Sequence, residues 1–169
     1  MDSPSSEVRA VCGGAVIDPF GFNLYYKAAS ATLGYETNVW QFATVGENVV
    51  TGRNCVIGSC AWVGDGTVMG DDVRIQHGVF IPRNSRIGHR VFIGPNAVLT
   101  DDAHPRVNNP AYRAQPPIIE DDVAIGAGAV LLAGVIIGKG AMIGAGAVVT
   151  HDIPAGEVWV GNPARARNP

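Results

Sequence analysis

One aliphatic residue recurs every six positions along most of this chain. Reading from Leu33 in steps of six gives Val39, Val45, Thr51, Ile57, Val63, Met69, Ile75, Ile81, Ile87, Ile93 and Leu99. The frame breaks there and resumes as Ile119, Ile125, Leu131, Ile137, Ile143 and Val149. Seventeen of these 18 positions are Val, Ile, Leu or Met, types that make up only 43 of the 169 residues, so the period is not a composition effect. A fixed internal repeat of this kind announces a stacked architecture and overrides element-by-element reading. Neither an α-helix, with a period of 3.6, nor a long strand, with a period of 2, places one aliphatic at every sixth residue.

The other columns of the repeat have their own chemistry. The residue after the aliphatic is Gly in 11 of 18 hexads, and the third residue after it is Gly, Asn or Asp in 14, the types that tolerate positive φ. The fourth is always small or β-branched, as in Ala43, Cys55, Ala61, Thr67, Ser85, Ala97, Ala129 and Ala147. It stands two residues before the next aliphatic, so in a strand both face the same way. Each hexad therefore reads as a short strand with one small and one large inward side chain, followed by a turn. Three hexads close a triangular coil, and 18 hexads give about six coils. Gln76 and Pro82 stand where most hexads have Gly, and Thr51 replaces an aliphatic.

The period divides the chain into an N-terminal cap over 1–32, a repeat domain over 33–154 and a tail over 155–169. The cap carries the densest aromatic cluster, Phe20 to Tyr26, which is expected to plug the open end of the first coil. Between Leu99 and Ile119 the repeat gives way to an excursion over about 100–118, with four prolines, an acidic pair, two arginines, a tyrosine and a histidine. A long, proline-stiffened loop on a rigid scaffold is a natural place for function.

Composition sets outer limits. Charged residues are only 16% and the formal net charge is −3 with no run of Lys or Arg, which argues against a nucleic-acid partner. Three cysteines without repeated spacing argue against a disulfide scaffold, and no apolar stretch reaches membrane-spanning length. Without a basic and apolar leader at Met1 to Arg9, a cytoplasmic location is expected, with no membrane partner.

The hexapeptide columns resemble those of the left-handed parallel β-helix acyltransferase superfamily. The resemblance implies left-handed coiling, which runs against the usual right-handed crossover, and a homotrimer with active sites between subunits and a CoA thioester along the groove. The run IGAGAVLLAGVIIGKGAMIGAGAVVTHDIPAGEVWVGNPAR is similar to the CoA-binding half of these enzymes. By that match Ala127 and Ala145 offer backbone contacts to pantetheine, Thr150 assists, and Arg165 and Arg167 pair with phosphates. DDAHPR and VVTHDIP resemble galactoside and maltose O-acetyltransferases, in which a loop histidine before proline is the general base. His104 falls on that position. NVWQF, IQHGVFI and FIGPNAVLTDDAHPR look like N-acetyltransferases of nucleotide-linked amino sugars. In them the coil at Gln76 and His77 touches the sugar.

Acyl transfer from a thioester needs a deprotonated nucleophile and a proton for the leaving thiolate, and one imidazole can serve both steps. His104 is the first candidate base, with Asp101 and Asp102 expected to hold its far ring nitrogen or the substrate, and His77 is the second. Arg106 and Arg113 are candidates for a diphosphate on the acceptor, and Trp40 or Tyr112 for stacking on a base. No Ser-His-Asp order suggests an acyl-enzyme, so direct transfer in a ternary complex is expected. The same fold hosts zinc carbonic anhydrases, but His77, His89, His104 and His151 include no close pair, so no metal is expected. The sequence thus points to an acetyl-CoA-dependent acetyltransferase of a sugar amine, with O-acetylation as the second reading and a nonenzymatic assembly subunit as a third.

Overall fold

The computed structural model describes residues 10–11, 15–17 and 23–167. Phe20 and Phe22 of the aromatic cluster, and Cys12, lie outside the described residues. Within them the chain is all β and winds as a left-handed parallel β-helix, each hexad contributing one short strand. The first face of the prism stacks Thr44–Val45, Trp62–Val63, Phe80–Ile81, Val98–Leu99, Val130–Leu131 and Val148–Val149. The second stacks Val50–Thr51 through Ile136–Ile137, and the third Asn38–Val39 through Met142–Ile143. Register advances by one coil at a time: Arg74 pairs with Phe92 and Ile75 with Ile93.

The stack is about seven turns deep, one more than the hexad frame suggests. At the front, Asn23–Lys27 already pairs in parallel with Thr44–Val45, placing Lys27 in the aliphatic column. The open end explains the charge, because Lys27 Nζ donates to the carbonyl of Ala31 at 2.7 Å and caps the prism. At the back, Val158–Val160 pairs with Met142–Ile143, setting Trp159 beside Ile143. That step is sixteen residues, so periodic reading misses it.

The core is the stack of inward columns. Ile57, Ile75, Ile81, Ile93, Leu99, Ile125, Leu131 and Ile137 are wholly buried, and so are the small partners Cys55, Ala97, Ala129 and Ala147. Burial pushes the Cys55 thiol up. The turns need a left-handed residue at the third position of the hexad, and positive φ recurs there from residue 36 to residue 146. Asn, Asp and Gly supply most of these, but Glu36, Phe42, Cys60 and Arg90 take the same conformation at φ 59°, 63°, 58° and 55°. Such residues carry a cost of about 1–3 kcal/mol each unless neighbours offset it.

Arg90 has such a neighbour. It and Asp122 share a column at the corner between the second and third faces. Arg90 Nε and Nη2 donate to the two carboxylate oxygens of Asp122 at 2.6 and 3.0 Å. The same corner carries a ladder in which the Asp71 N–H donates to His89 Nδ1 and the His89 N–H to Asp121 Oδ1. The Arg90 guanidinium holds the Asp122 carboxyl below its usual range. A depressed folded-state pKa contributes stability that is present above the unfolded value, near pH 4, and lost as the pH falls through the folded value. Asp122→Asn is therefore expected to lower the urea midpoint slightly at pH 7, and the difference from the parent chain is expected to shrink as the pH falls below about 4.

Candidate functional site

The third face turns into the first at a corner built from the second residue after each third-face aliphatic. Gln41, Ser59, His77, Pro95, Ala127 and Ala145 follow one another there, linked by the N–H of Cys60 to Gln41 O, Gly78 to Ser59 O, Asn96 to His77 O, Gly128 to Pro95 O and Gly146 to Ala127 O. His77, Ala127 and Ala145 are exposed on this edge, while Gln76, one position earlier, is half-buried with its N–H on Ile93 O. From His77 to Ala145 is three coil steps, roughly 14 Å at ordinary strand spacing. Toward the C-terminus the edge loses its side chains and becomes a shallow track of methyl groups and backbone.

The coils press closely here. A Cβ on Gly126 would stand 2.4 Å from Ala145 N, and one on Gly94 2.6 Å from Ala127 N. Only glycine lets the next coil approach this closely and keeps the alanine backbone at a fixed height. Gly126→Ala is expected to cost about 1–3 kcal/mol as overpacking, read as a lower denaturation midpoint, because backbone rather than a flexible side chain must move.

The tail closes the same edge. The Gly144 N–H donates to Trp159 O and the Val148 N–H to Gly161 O, and the Ala164 N–H to Val148 O, so residues 159–164 lie across the last coil. Arg165, on the strand Arg165–Ala166 that pairs antiparallel with Val158–Val160, and Arg167, just after it, follow, both exposed. Two cations thus stand at the end of the track where the alanines finish. Thr150 does not share this edge. It follows Val149 on the first face and so turns into the next corner, where its Oγ1 lies 2.8 Å from His151 Nδ1.

The excursion leaves from that next corner, between the first and second faces. Strand pairing on all three faces stretches across it, as in Ile93 with Ile125 and Leu99 with Leu131. Its stem is closed by the Gln115 N–H on Asp101 O at 2.8 Å and the Gly134 N–H on Gln115 O at 2.6 Å. Inside it, His104 is exposed and borders a cavity of about 440 Å³ with Asp102, Arg106, Asn109 and Arg113. The two carboxylates expected on the imidazole are engaged elsewhere. Asp102 Oδ1 accepts the backbone N–H of His104 at 2.9 Å, and Asp101 Oδ2 accepts the Tyr112 hydroxyl at 2.7 Å. An aspartate two residues before an N–H closes a local Asx turn more readily than it reaches that residue's ring. The Asp101 hydrogen bond, with some burial, holds the Tyr112 phenol above its ordinary value.

His77 and His104 thus stand on different corners of one protomer, flanking the first face. Sequence reading missed Phe80 and Arg83 in the wall between them: with Trp62 they line a second cavity of about 280 Å³ that also contains Asp101 and Tyr112. The signal was available, because Trp62 and Phe80 are eighteen residues apart and so pair in register.

The β-helix thus presents an edge of alanines that ends in arginines and, on the neighbouring corner, a loop that carries a histidine. Family models give its class: residues 66–101 and 116–151 match the bacterial transferase hexapeptide (six repeats), and residues 43–83 match the hexapeptide repeat of succinyl-transferase. The chain belongs to the hexapeptide-repeat transferases. Among curated proteins it is 50% identical over 52 residues to 2,3,4,5-tetrahydropyridine-2,6-dicarboxylate N-acetyltransferase of Staphylococcus aureus, covering 31% of this chain and 22% of that one. Among solved structures, the acetyltransferase domain of PglB from Neisseria gonorrhoeae superposes with a TM-score of 0.56 at 26% identity, over 87% of this chain and 60% of that one. Its complex with acetyl coenzyme A matches at 25% identity and the same TM-score, over 84% and 57%. A hexapeptide-repeat acetyltransferase from Vibrio cholerae gives 0.53 at 27%, over 81% and 72%. The chain therefore spans about a fifth of the curated relatives it matches. No helix among the described residues is long and apolar enough to cross a membrane.

Proposed function

We propose that the chain is an acetyl-CoA-dependent acetyltransferase that acts as a homotrimer on the amino group of a nucleotide-linked amino sugar. The observation that carries this reading is the edge running from His77 through Pro95, Ala127 and Ala145 to Arg165. Along it, backbone amides of the alanine coils meet the pantetheine arm, and Arg165 and Arg167 meet the phosphates. The similarity to an acetyltransferase domain solved with acetyl coenzyme A supports that ligand.

The loop histidine stands off the neighbouring corner, so the reading pairs the loop of one protomer with the alanine edge of the next. His104 takes a proton from the acceptor nitrogen as that nitrogen forms a bond to the thioester carbonyl carbon. The carbon–sulfur bond then breaks, the imidazolium returns its proton to the thiolate, and CoA leaves beside an N-acetyl product. His77, at the head of the edge, and Gln76 orient the sugar, and Arg106 and Arg113 face its diphosphate. Asp101 and Asp102 shape the loop that presents these groups. Such an enzyme belongs in the cytoplasm, where acetyl-CoA is at hand.

The His104-Pro105 pair, similar to that of sugar O-acetyltransferases, favours a hydroxyl acceptor as the second reading. A CoA-release assay against nucleotide-linked amino sugars and simple glycosides separates the two. Release with the amino sugars alone supports the proposal, release with glycosides alone supports the second reading, and release with neither contradicts both. A melting point unmoved by saturating acetyl-CoA would leave a nonenzymatic subunit.

A further inference from the structure

The first face of the prism carries a proline in its turn column at one place. Pro82 occupies the column that most hexads fill with Gly, and the inward small positions beneath it are Thr67 and Ser85 rather than Ala or Val. Both hydroxyls are buried, and both donate to Pro82 O, at 3.2 and 2.7 Å. Three exceptions thus converge to fix the backbone that carries Arg83. Directly beside it stand Trp62 and Phe80, in register on neighbouring strands, both facing outward and about half exposed. With Tyr112 they wall the 280 Å³ cavity.

Arg83 is the cation this cavity offers to an anion beside a flat ring. Arg83 has no carboxylate within ion-pair distance among the described residues. The two carboxylates that share the cavity are already engaged, Asp65 Oδ1 with the Glu47 N–H at 2.9 Å and Asp101 with the Tyr112 hydroxyl. Tyr112 is also a wall of the His104 cavity, so the two spaces adjoin.

We propose that Trp62, Phe80 and Arg83 form a subsite for the nucleoside diphosphate end of the acceptor, the base against the two aromatic side chains and a phosphate on Arg83. This rests on the acetyltransferase reading for the sugar it extends into, but its own chemistry is nucleotide binding. Base–aromatic stacking tolerates any base, so the subsite selects for a nucleotide rather than for a particular one. Arg supplies the fork that matches phosphate oxygens.

Calorimetric titration with UDP, dTDP and uridine, in the absence of acetyl-CoA, tests it. Trp62→Ala is expected to weaken all three by about tenfold or more. Arg83→Gln, an exposed change that leaves the fold intact, is expected to weaken the two diphosphates while leaving uridine as it was. Titrations with acetyl-CoA should be unchanged in both variants. Diphosphate affinities equal to wild type in Arg83→Gln, or no binding of UDP or dTDP by the wild-type chain, would overturn the subsite. So would a Trp62→Ala chain that comes apart as an assembly yet keeps its nucleotide affinity, which would make Trp62 an interface residue. Nucleotide binding through these residues without acetyl transfer would instead remove the catalytic reading and leave the subsite.

Discussion

His104→Ala is expected to lower turnover on an amino-sugar acceptor about a hundredfold at pH 7, with the KM for acetyl-CoA unchanged. General-base catalysis by a positioned imidazole contributes roughly 10²–10⁴-fold. An amine of ordinary basicity, with a pKa near 8, is about nine-tenths protonated at pH 7 and needs a base to become a nucleophile. By pH 9 solvent has freed the amine, a gain of about tenfold, so the variant is expected to recover about that factor there, the remainder being proton removal during attack. A hydroxyl acceptor, which stays protonated at pH 9, would show no such recovery. The pH profile of one variant therefore reports both whether His104 is the base and which kind of group is acetylated. A variant as fast as wild type at pH 7 with every acceptor would remove His104 from the chemistry.

The second large effect is expected at the alanine edge. Ala145 is exposed, with its methyl on the track and its backbone N facing Gly126. Ala145→Trp adds bulk outside the core, so the melting temperature should stay within a few degrees of wild type. The indole would lie across the path assigned to pantetheine, and acetyl-CoA binding is expected to weaken at least tenfold. Nucleotide binding should be untouched. An Ala145→Trp chain that binds acetyl-CoA normally would show that the thioester runs elsewhere.

The periodic part of the molecule was open to reading from the sequence, because a hexapeptide prism is a local rule repeated. Each aliphatic, small residue and turn residue does the same thing in every coil, and the buried column from Val45 to Val149 follows from counting. The ends were harder because they break the rule for physical reasons. Lys27 fills an aliphatic position only because its amine can reach Ala31 O at the open end, and Trp159 arrives out of frame after a shortened coil.

The site divides in the same way. That Ala127 and Ala145 share an edge with His77 follows from register. The loop does not, since Tyr112 meets Asp101 across eleven residues of aperiodic chain, and proline-rich sequence carries no pattern for such a contact. Thr150 illustrates the converse. Motif likeness grouped it with the alanines, whereas its position after Val149 turns it to a different corner. Pro82 stands out in the sequence as a replacement of glycine, but that Thr67 and Ser85 both reach its carbonyl follows only from the stacking of the coils.

The central claim is that each active site joins the His104 loop of one protomer to the alanine edge of another. Mixing His104→Ala and Ala145→Trp chains, with exchange of subunits verified by native mass spectrometry, tests it most directly. Each variant alone is expected to be nearly inactive. In a mixed trimer one of the three interfaces pairs an intact loop with an intact edge, so a fully exchanged equal mixture should regain about a quarter of wild-type activity. A verified mixture no more active than its two components would contradict a site shared between protomers.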